Sequence, residues 1–232
     1  MSTNEEAVSP ESPRASLAVR NLQLKTGMTL RDFEITRPYT LICTGRESSA
    51  TTTMLTLAGR MRPAQGDIIL TSNQGEEILN PRARSKHIAL AGVNEIDTLD
   101  RNVTVRSLVR ESAAWSNPWY ARTPHDIDKI ARWHELRELL NFTGEPSAQA
   151  GELTPSQRFN LRIILALMTR VEPQMLFIDD IDQVHSLDIR KEIVGHLRDV
   201  AEELPIVVAS SNPDVDHVFD ETIAISDLKE QA

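Results

Sequence analysis

LICTGRESSATTTMLTLAGRMRP, residues 41–63, is the stretch whose reading decides the fold. Residues 39–43 form an almost unbroken apolar run, as a strand buried on both faces requires. Thr44 to Ser49 then make a short loop of small and polar residues. From Ala50 the spacing predicts a helix that stops near Arg62 and Pro63, where proline removes the next backbone donor. A buried strand, a tight loop and a helix make up one unit of an α/β domain.

Outward from this unit, residues 16–24 alternate apolar and polar like a half-exposed strand, and 28–35 and 38–43 read as further short strands. Strands are expected at 66–70, 86–91, 175–178 and 206–209. Helical spacing marks 104–114, 125–140 and about 186–203. The order gives an α/β core interrupted by a helical insert. Asp214, Asp216, His217, Asp220 and Glu221, after Pro213, read as the solvated face of a helix in preference to a metal site. Trp115, Pro118, Trp119 and Tyr120 are either interface anchors or the small core of the insert.

Composition bounds the function. The 232 residues are 40% hydrophobic and 25% charged, enough for one large domain. No window approaches the roughly 20 apolar residues of a membrane helix. Residues 1–14, MSTNEEAVSPESPR, lack the basic and apolar regions of a signal peptide and are expected to be a disordered tail. The single cysteine, Cys43, reads as a small buried hydrophobe and suits a cytoplasmic protein. A net charge of −9 argues against holding nucleic acid by phosphate neutralisation, but leaves a basic or membrane-protein partner open.

Four segments occur in order: TGRESSATTTMLTLAGRMRPAQGDI (44–68), VTVR (103–106), LTPSQRFNLRIILALM (153–168) and MLFIDD (175–180). The first resembles the phosphate-binding loop and helix of the ATP-binding-cassette family, with its "LAG-x-x-x-P-x-x-G-x-I" continuation. The second is similar to the "LTVRE" that opens that family's helical subdomain. The third is similar to its "LSGGQ" signature and the fourth to its Walker B strand. The resemblance implies a P-loop NTPase (RecA-like) core with an antiparallel β lobe and a helical insert. A tail would cover 1–15 and the nucleotide-binding domain 16–232, with the core at about 16–92 and 151–232 and the helical subdomain at about 93–150. It also implies ATP and Mg²⁺ as ligands and a dimer with itself or a second cassette. A multi-span membrane permease would be the partner, at the inner face of the cell membrane, with no nucleic acid involved.

Carried over residue by residue, the resemblance places Thr44, Gly45, Arg46, Glu47, Ser48, Ser49, Ala50, Thr51 and Thr52 around the phosphates. Such a loop works through backbone amides, glycines that allow close approach and a lysine on the terminal phosphates. Here Thr44 and Ser49 take the glycine positions and Ala50 takes the lysine position. Thr51 would hold Mg²⁺ together with Asp179. Asp180 takes the place of the glutamate that handles the attacking water, one methylene shorter. The loop glutamine falls at Asn94 or Glu95. Thr154, Ser156 and Gln157 would face nucleotide on the opposite subunit, but Pro155 has no N–H to donate. Thr154 and Pro155 also read as an ordinary helix start. Ser186 takes the D-loop aspartate position, with Asp188 two residues later. Ser210, Ser211 and Asn212 cover the switch histidine position, and no aromatic residue lies between Gln23 and Met28 to stack on adenine. The expectation is a transporter-type ATP-binding subunit that hydrolyses ATP to ADP slowly or not at all. The alternative is a pseudo-ATPase that serves a membrane protein as a structural or regulatory partner. A soluble cassette acting in translation or DNA repair is disfavoured, since there is no second cassette, no long coiled-coil arm and no basic balance.

Overall fold

The computed structural model describes residues 14–45, 49–94, 96–118, 120 and 122–225. Most of the expected tail, and Arg46, Glu47, Ser48, Glu95 and Trp119, lie outside the described residues.

The chain opens with β1 (Ser16–Gln23) and β2 (Phe33–Ile35), an antiparallel pair. It then enters β3 (Tyr39–Thr44) and α1 (Ala50–Leu57). β4 (Gln65–Thr71) and β5 (Glu77–Ile78) complete a four-stranded antiparallel sheet in the order β2-β1-β4-β5. Next come α2 (Pro81–His87) and β6 (Ile88–Ala91), then α3 (Val105–Ser116), α4 (Ala131–Leu139) and α5 (Pro155–Met168). β7 (Met175–Ile178), α6 (Leu187–Ala201), β8 (Ile206–Ser210) and β9 (Glu221–Ile225) close the fold. The second sheet runs β6-β7-β8-β3-β9, with every neighbouring pair parallel.

Neighbouring residues of the parallel strands serve different cores, which is why their sequences are continuously apolar. Leu41, Leu176, Ile178, Ile206 and Val208 pack with α3, α4, α5 and α6. Ile42, Phe177, Val207, Ala209 and Ile223 pack with α1 and the antiparallel sheet. The result is a three-layer α/β domain with the parallel sheet in the middle, as the resemblance implied.

Several boundaries differ from expectation for identifiable reasons. α1 ends at Leu57, not near Arg62, because Gly59 turns away at φ +76°, and a Cβ there would lie 2.2 Å from the Pro81 carbonyl. Lys86 and His87 belong to α2 and not to a strand, since the Asn80 side chain accepts from the Arg82 and Ala83 amides with Pro81 in the first turn. Of residues 28–35 only Phe33–Ile35 pair as a strand, while Thr29 makes an isolated bridge to Gln23. No helix follows Pro213. The Asp214 carboxylate accepts from the amides of Val218 and Phe219, His217 sits at φ +52°, and Glu221 opens β9. Asp216 pairs with Lys191 and Asp220 with Arg198. The acidic run is thus a set of caps and ion pairs that stitch an irregular crossover onto α6.

Candidate functional site

Ligands of open parallel sheets gather outside the carboxyl ends of the strands, and the motif residues meet there. Thr44 ends β3, buried, with its hydroxyl donating to the Ser210 carbonyl of β8 at 3.3 Å. Gly45 is exposed. Ser49 is the N-cap of α1 but makes no capping bond with its side chain; its Oγ lies 3.1 Å from Thr26 Oγ1. Ala50, Thr51 and Thr52 form the first turn, whose N–H groups have no acceptor within a helix and favour an anion.

Asp179 is the central group. Immediately after β7 it is 0% exposed, and neither carboxylate oxygen has a hydrogen-bond partner among the described residues. Burial raises its pKa to about 6; the nearby Thr51 hydroxyl opposes this without forming a well-aligned bond. Asp180 and Asp97 push the pKa further up and Arg162 pulls it down. A buried carboxylate without a partner is costly, and a divalent cation removes that cost. The residues present fit Mg²⁺, with Thr51 on α1 and Asp179 at the end of β7 supplying hard oxygens. Among the described residues no three His, Cys, Asp or Glu side chains converge on a metal position. Mg²⁺ often has few protein ligands and takes the rest from water and phosphate.

Asp180 adopts a left-handed conformation, φ +50° and ψ 64°, which is strained for a residue other than glycine. Burial raises its pKa, Asp182 adds to the rise, and Arg190, Arg162 and His185 oppose it. Asn94 lies exposed in the turn after β6.

The signature-like residues are built differently. Thr154 Oγ1 accepts from the Gln157 amide at 3.2 Å, and Gln157 Oε1 accepts from the Thr154 amide at 3.0 Å. Gln157 Nε2 donates to the Thr143 hydroxyl at 3.1 Å. This reciprocal box with Pro155 at the first position is the ordinary helix start. Ser156 is half-buried in the first turn of α5. Ser186 is the N-cap of α6, and Asp188 lies in its first turn.

Sequence reasoning missed two polar clusters. In the first, Arg162 of α5 grips Asp97 through Nη2 at 2.5 Å and Nε at 3.3 Å, and donates to Gln183 Oε1 at 2.8 Å. Gln183 Nε2 donates to the Gly92 carbonyl at 2.6 Å, and the Gly92 amide donates to Asp97 at 2.7 Å. Gly92 has φ +87°, and a Cβ there would lie 2.2 Å from the Asp179 carbonyl. This ring fixes the backbone beside Asp179. A charge amid Leu161, Ile163 and Ile164 was its only trace in the sequence. In the second cluster, Ser210, Ser211 and Asn212 surround Asp182.

Trp115 and Tyr120 are 77% and 74% exposed. The core of the helical stretch is built instead on buried Trp133, whose ring lies 5.7 Å from that of Phe142. Of the two readings of the aromatic cluster, these two side chains belong to the surface.

No protein-family model matches the chain. It is 28% identical over 185 residues to the sulfate/thiosulfate import ATP-binding protein CysA of Synechococcus elongatus, covering 79% of this chain and 48% of that protein. It is 25% identical over 175 residues to the phosphonates import ATP-binding protein PhnC 1 of a Ruegeria species, covering 72% and 66%. The chain therefore spans about half the length of the first relative and about two thirds of the second. The structure of cbiO1 from Clostridium perfringens, part of the ABC transporter complex cbiONQ, superposes with a TM-score of 0.69 at 18% identity, covering 90% of this chain and 84% of that one. Fold and sequence together make the chain an ATP-binding-cassette ATPase domain.

Proposed function

We propose that the chain is the ATP-binding subunit of an ABC-type transporter, with weak nucleotide binding and slow or absent hydrolysis. The observation that carries this reading is Asp179, a buried carboxylate without a partner beside Thr51 on the helix that follows β3. Mg²⁺ supplies Lewis-acid charge at the terminal phosphates of ATP when bound. Asp179 and Thr51 hold that ion, and the first-turn amides at Ala50, Thr51 and Thr52 receive phosphate oxygens. Thr44, Gly45, Arg46, Glu47, Ser48 and Ser49 complete the loop. Asp180 orients or deprotonates water, with a shorter reach than glutamate. Ala50 brings no cation where a lysine would neutralise phosphate charge, and Pro155 brings no amide to a nucleotide across a dimer. Both substitutions weaken a site whose work is electrostatic.

The partner is a multi-span membrane permease at the cytoplasmic face, and the chain pairs with itself or a second cassette. Exposed Trp115 and Tyr120 supply aromatic anchors of the kind that dominate interfaces. Among the described residues no helix is long and apolar enough to cross a membrane, so attachment would run through that partner. The pseudo-ATPase reading is favoured by one feature: Ser210, Ser211 and Asn212, at the switch histidine position, are committed to Asp182.

Titration of the full chain with a fluorescent ATP analogue and Mg²⁺ tests the nucleotide reading. Saturable binding that Thr51→Ala or Asp179→Ala abolishes supports it. A flat titration up to millimolar analogue sinks it and leaves the pseudo-ATPase. Affinity capture from membranes should recover a polytopic membrane protein; ribosomes or DNA in its place end the transport reading.

A further inference from the structure

Asp182 is held by more donors than a turn needs. Its carboxylate accepts from Ser210 Oγ at 3.0 and 3.1 Å, the Ser211 amide at 2.7 Å, Ser211 Oγ at 2.8 Å and Asn212 Nδ2 at 3.0 Å. Arg190 Nη1 pairs with it at 2.9 Å, with both side chains less than a fifth exposed. The donors are themselves fixed. The Asn212 amide donates to Ser210 Oγ at 3.0 Å, and Arg190 also donates to the Val184 and Asp182 carbonyls. One amide, two hydroxyls, a carboxamide and a guanidinium therefore converge on one anion. Burial alone would raise the Asp182 pKa, but these donors hold it below its ordinary value. The cluster opens onto the end of the sheet already described: Ser210 pairs with Cys43 of β3, its carbonyl accepts from Thr44, and the Asp182 charge is felt at Asp180.

We propose that Ser210, Ser211, Asn212 and Arg190 form an oxyanion receptor that the chain fills with its own Asp182. The ligand class is a tetrahedral oxyanion, as inorganic phosphate or as the terminal phosphate of a nucleotide. The donor set is of the kind that recognises phosphate through charge-assisted hydrogen bonds. A carboxylate tethered a few residues away competes at a high effective concentration, so a free anion enters only when Asp182 leaves. The device is an internal competitor, and only its nucleotide form rests on the function proposed above.

The test titrates the full chain and its Asp182→Ala and Asp182→Asn variants with inorganic phosphate, with ionic strength held constant by chloride, following Tm and heat of binding. Asp182→Ala should melt below the parent in chloride, and phosphate should restore at least half of the loss with a saturable, millimolar response. The parent should show no saturable response, and Ser211→Ala with Asn212→Ala added to Asp182→Ala should remove the gain. Should Asp182→Ala not fold, Asp182→Asn carries the test, because its amide turns N–H groups toward donors and phosphate should displace it. A flat phosphate titration of the folded variant, or an equal saturable response in the parent, overturns the proposal. ATP in a parallel titration separates the two readings. Gain for phosphate with none for ATP keeps the receptor and counts against the nucleotide site; gain for both supports each.

Discussion

Asp179 and Asp182 lie one turn apart at the end of β7 and live in opposite environments. Asp179 is fully buried with no hydrogen-bond partner among the described residues, and its pKa is raised to about 6. Asp182 is ringed by donors from Ser210, Ser211, Asn212 and Arg190, and its pKa is lowered. A satisfied carboxylate builds structure, whereas a buried, unsatisfied one destabilises the fold until a ligand arrives. The difference separates a position kept for a cation from one that the protein occupies itself.

The strongest way to break this contrast is Gly92→Ala. The new Cβ would collide with the Asp179 carbonyl from a backbone at φ +87°, so either the β6 turn or the carboxylate must move. The expected cost is about 3 kcal/mol, read as a Tm drop of roughly 10 °C. A melting temperature equal to the parent's would show that Asp179 is not held by this packing.

Asp179→Asn should act in the other direction. The folded carboxyl titrates at about 6, above its unfolded value, so the native state holds the extra proton between about pH 4 and 6. Stability therefore falls as pH rises through this window in metal-free protein. At 1.36 kcal/mol per pKa unit, removing the charge should stabilise the protein by about 2–3 kcal/mol at pH 7.5. Asp182 does not mask the effect. Its lowered pKa contributes stability present above about pH 4 and lost as pH falls through the folded value. Melting curves from pH 4.5 to 8 check the slope, which should flatten in the variant. Mn²⁺ should raise the Tm of the parent above pH 6 and leave Asp179→Asn unmoved.

The smallest effect sharpens the contrast without disturbing the fold. Thr51→Ala should change stability by less than about 0.5 kcal/mol, since the hydroxyl is on the first turn of α1 and makes no well-aligned bond to Asp179. It should weaken Mn²⁺ binding by about tenfold in a calorimetric titration, the loss of one hard ligand. Unchanged Mn²⁺ affinity would remove Thr51 from the cation site.

Much of this was legible in the chain because it is local. The apolar runs at 39–43 and 175–178 gave buried parallel strands, and Thr154, Pro155 and Gln157 gave a helix start that needs only residues three apart. α2 was misread at Lys86 and His87, although Asn80 and Pro81 carry its start signal within the sequence. The crossover after β8 could not be read locally. β9 exists because it pairs with β3, about 180 residues earlier in the chain, and Arg198 holds Asp220 from α6. The ring around Gly92 likewise needs Asp97 and Arg162, 65 residues apart, to meet.

The order of strands, helices and motif positions follows from hydrophobic period, caps and proline, which act over a few residues. Whether a carboxylate is satisfied does not. Asp182 finds its donors 28 to 30 residues away and Asp179 finds none among the described residues, because packing alone decides which polar groups share a buried space. The chain supplied two aspartates of the same kind, and the tertiary structure made one of them a partner and the other a vacancy for a cation.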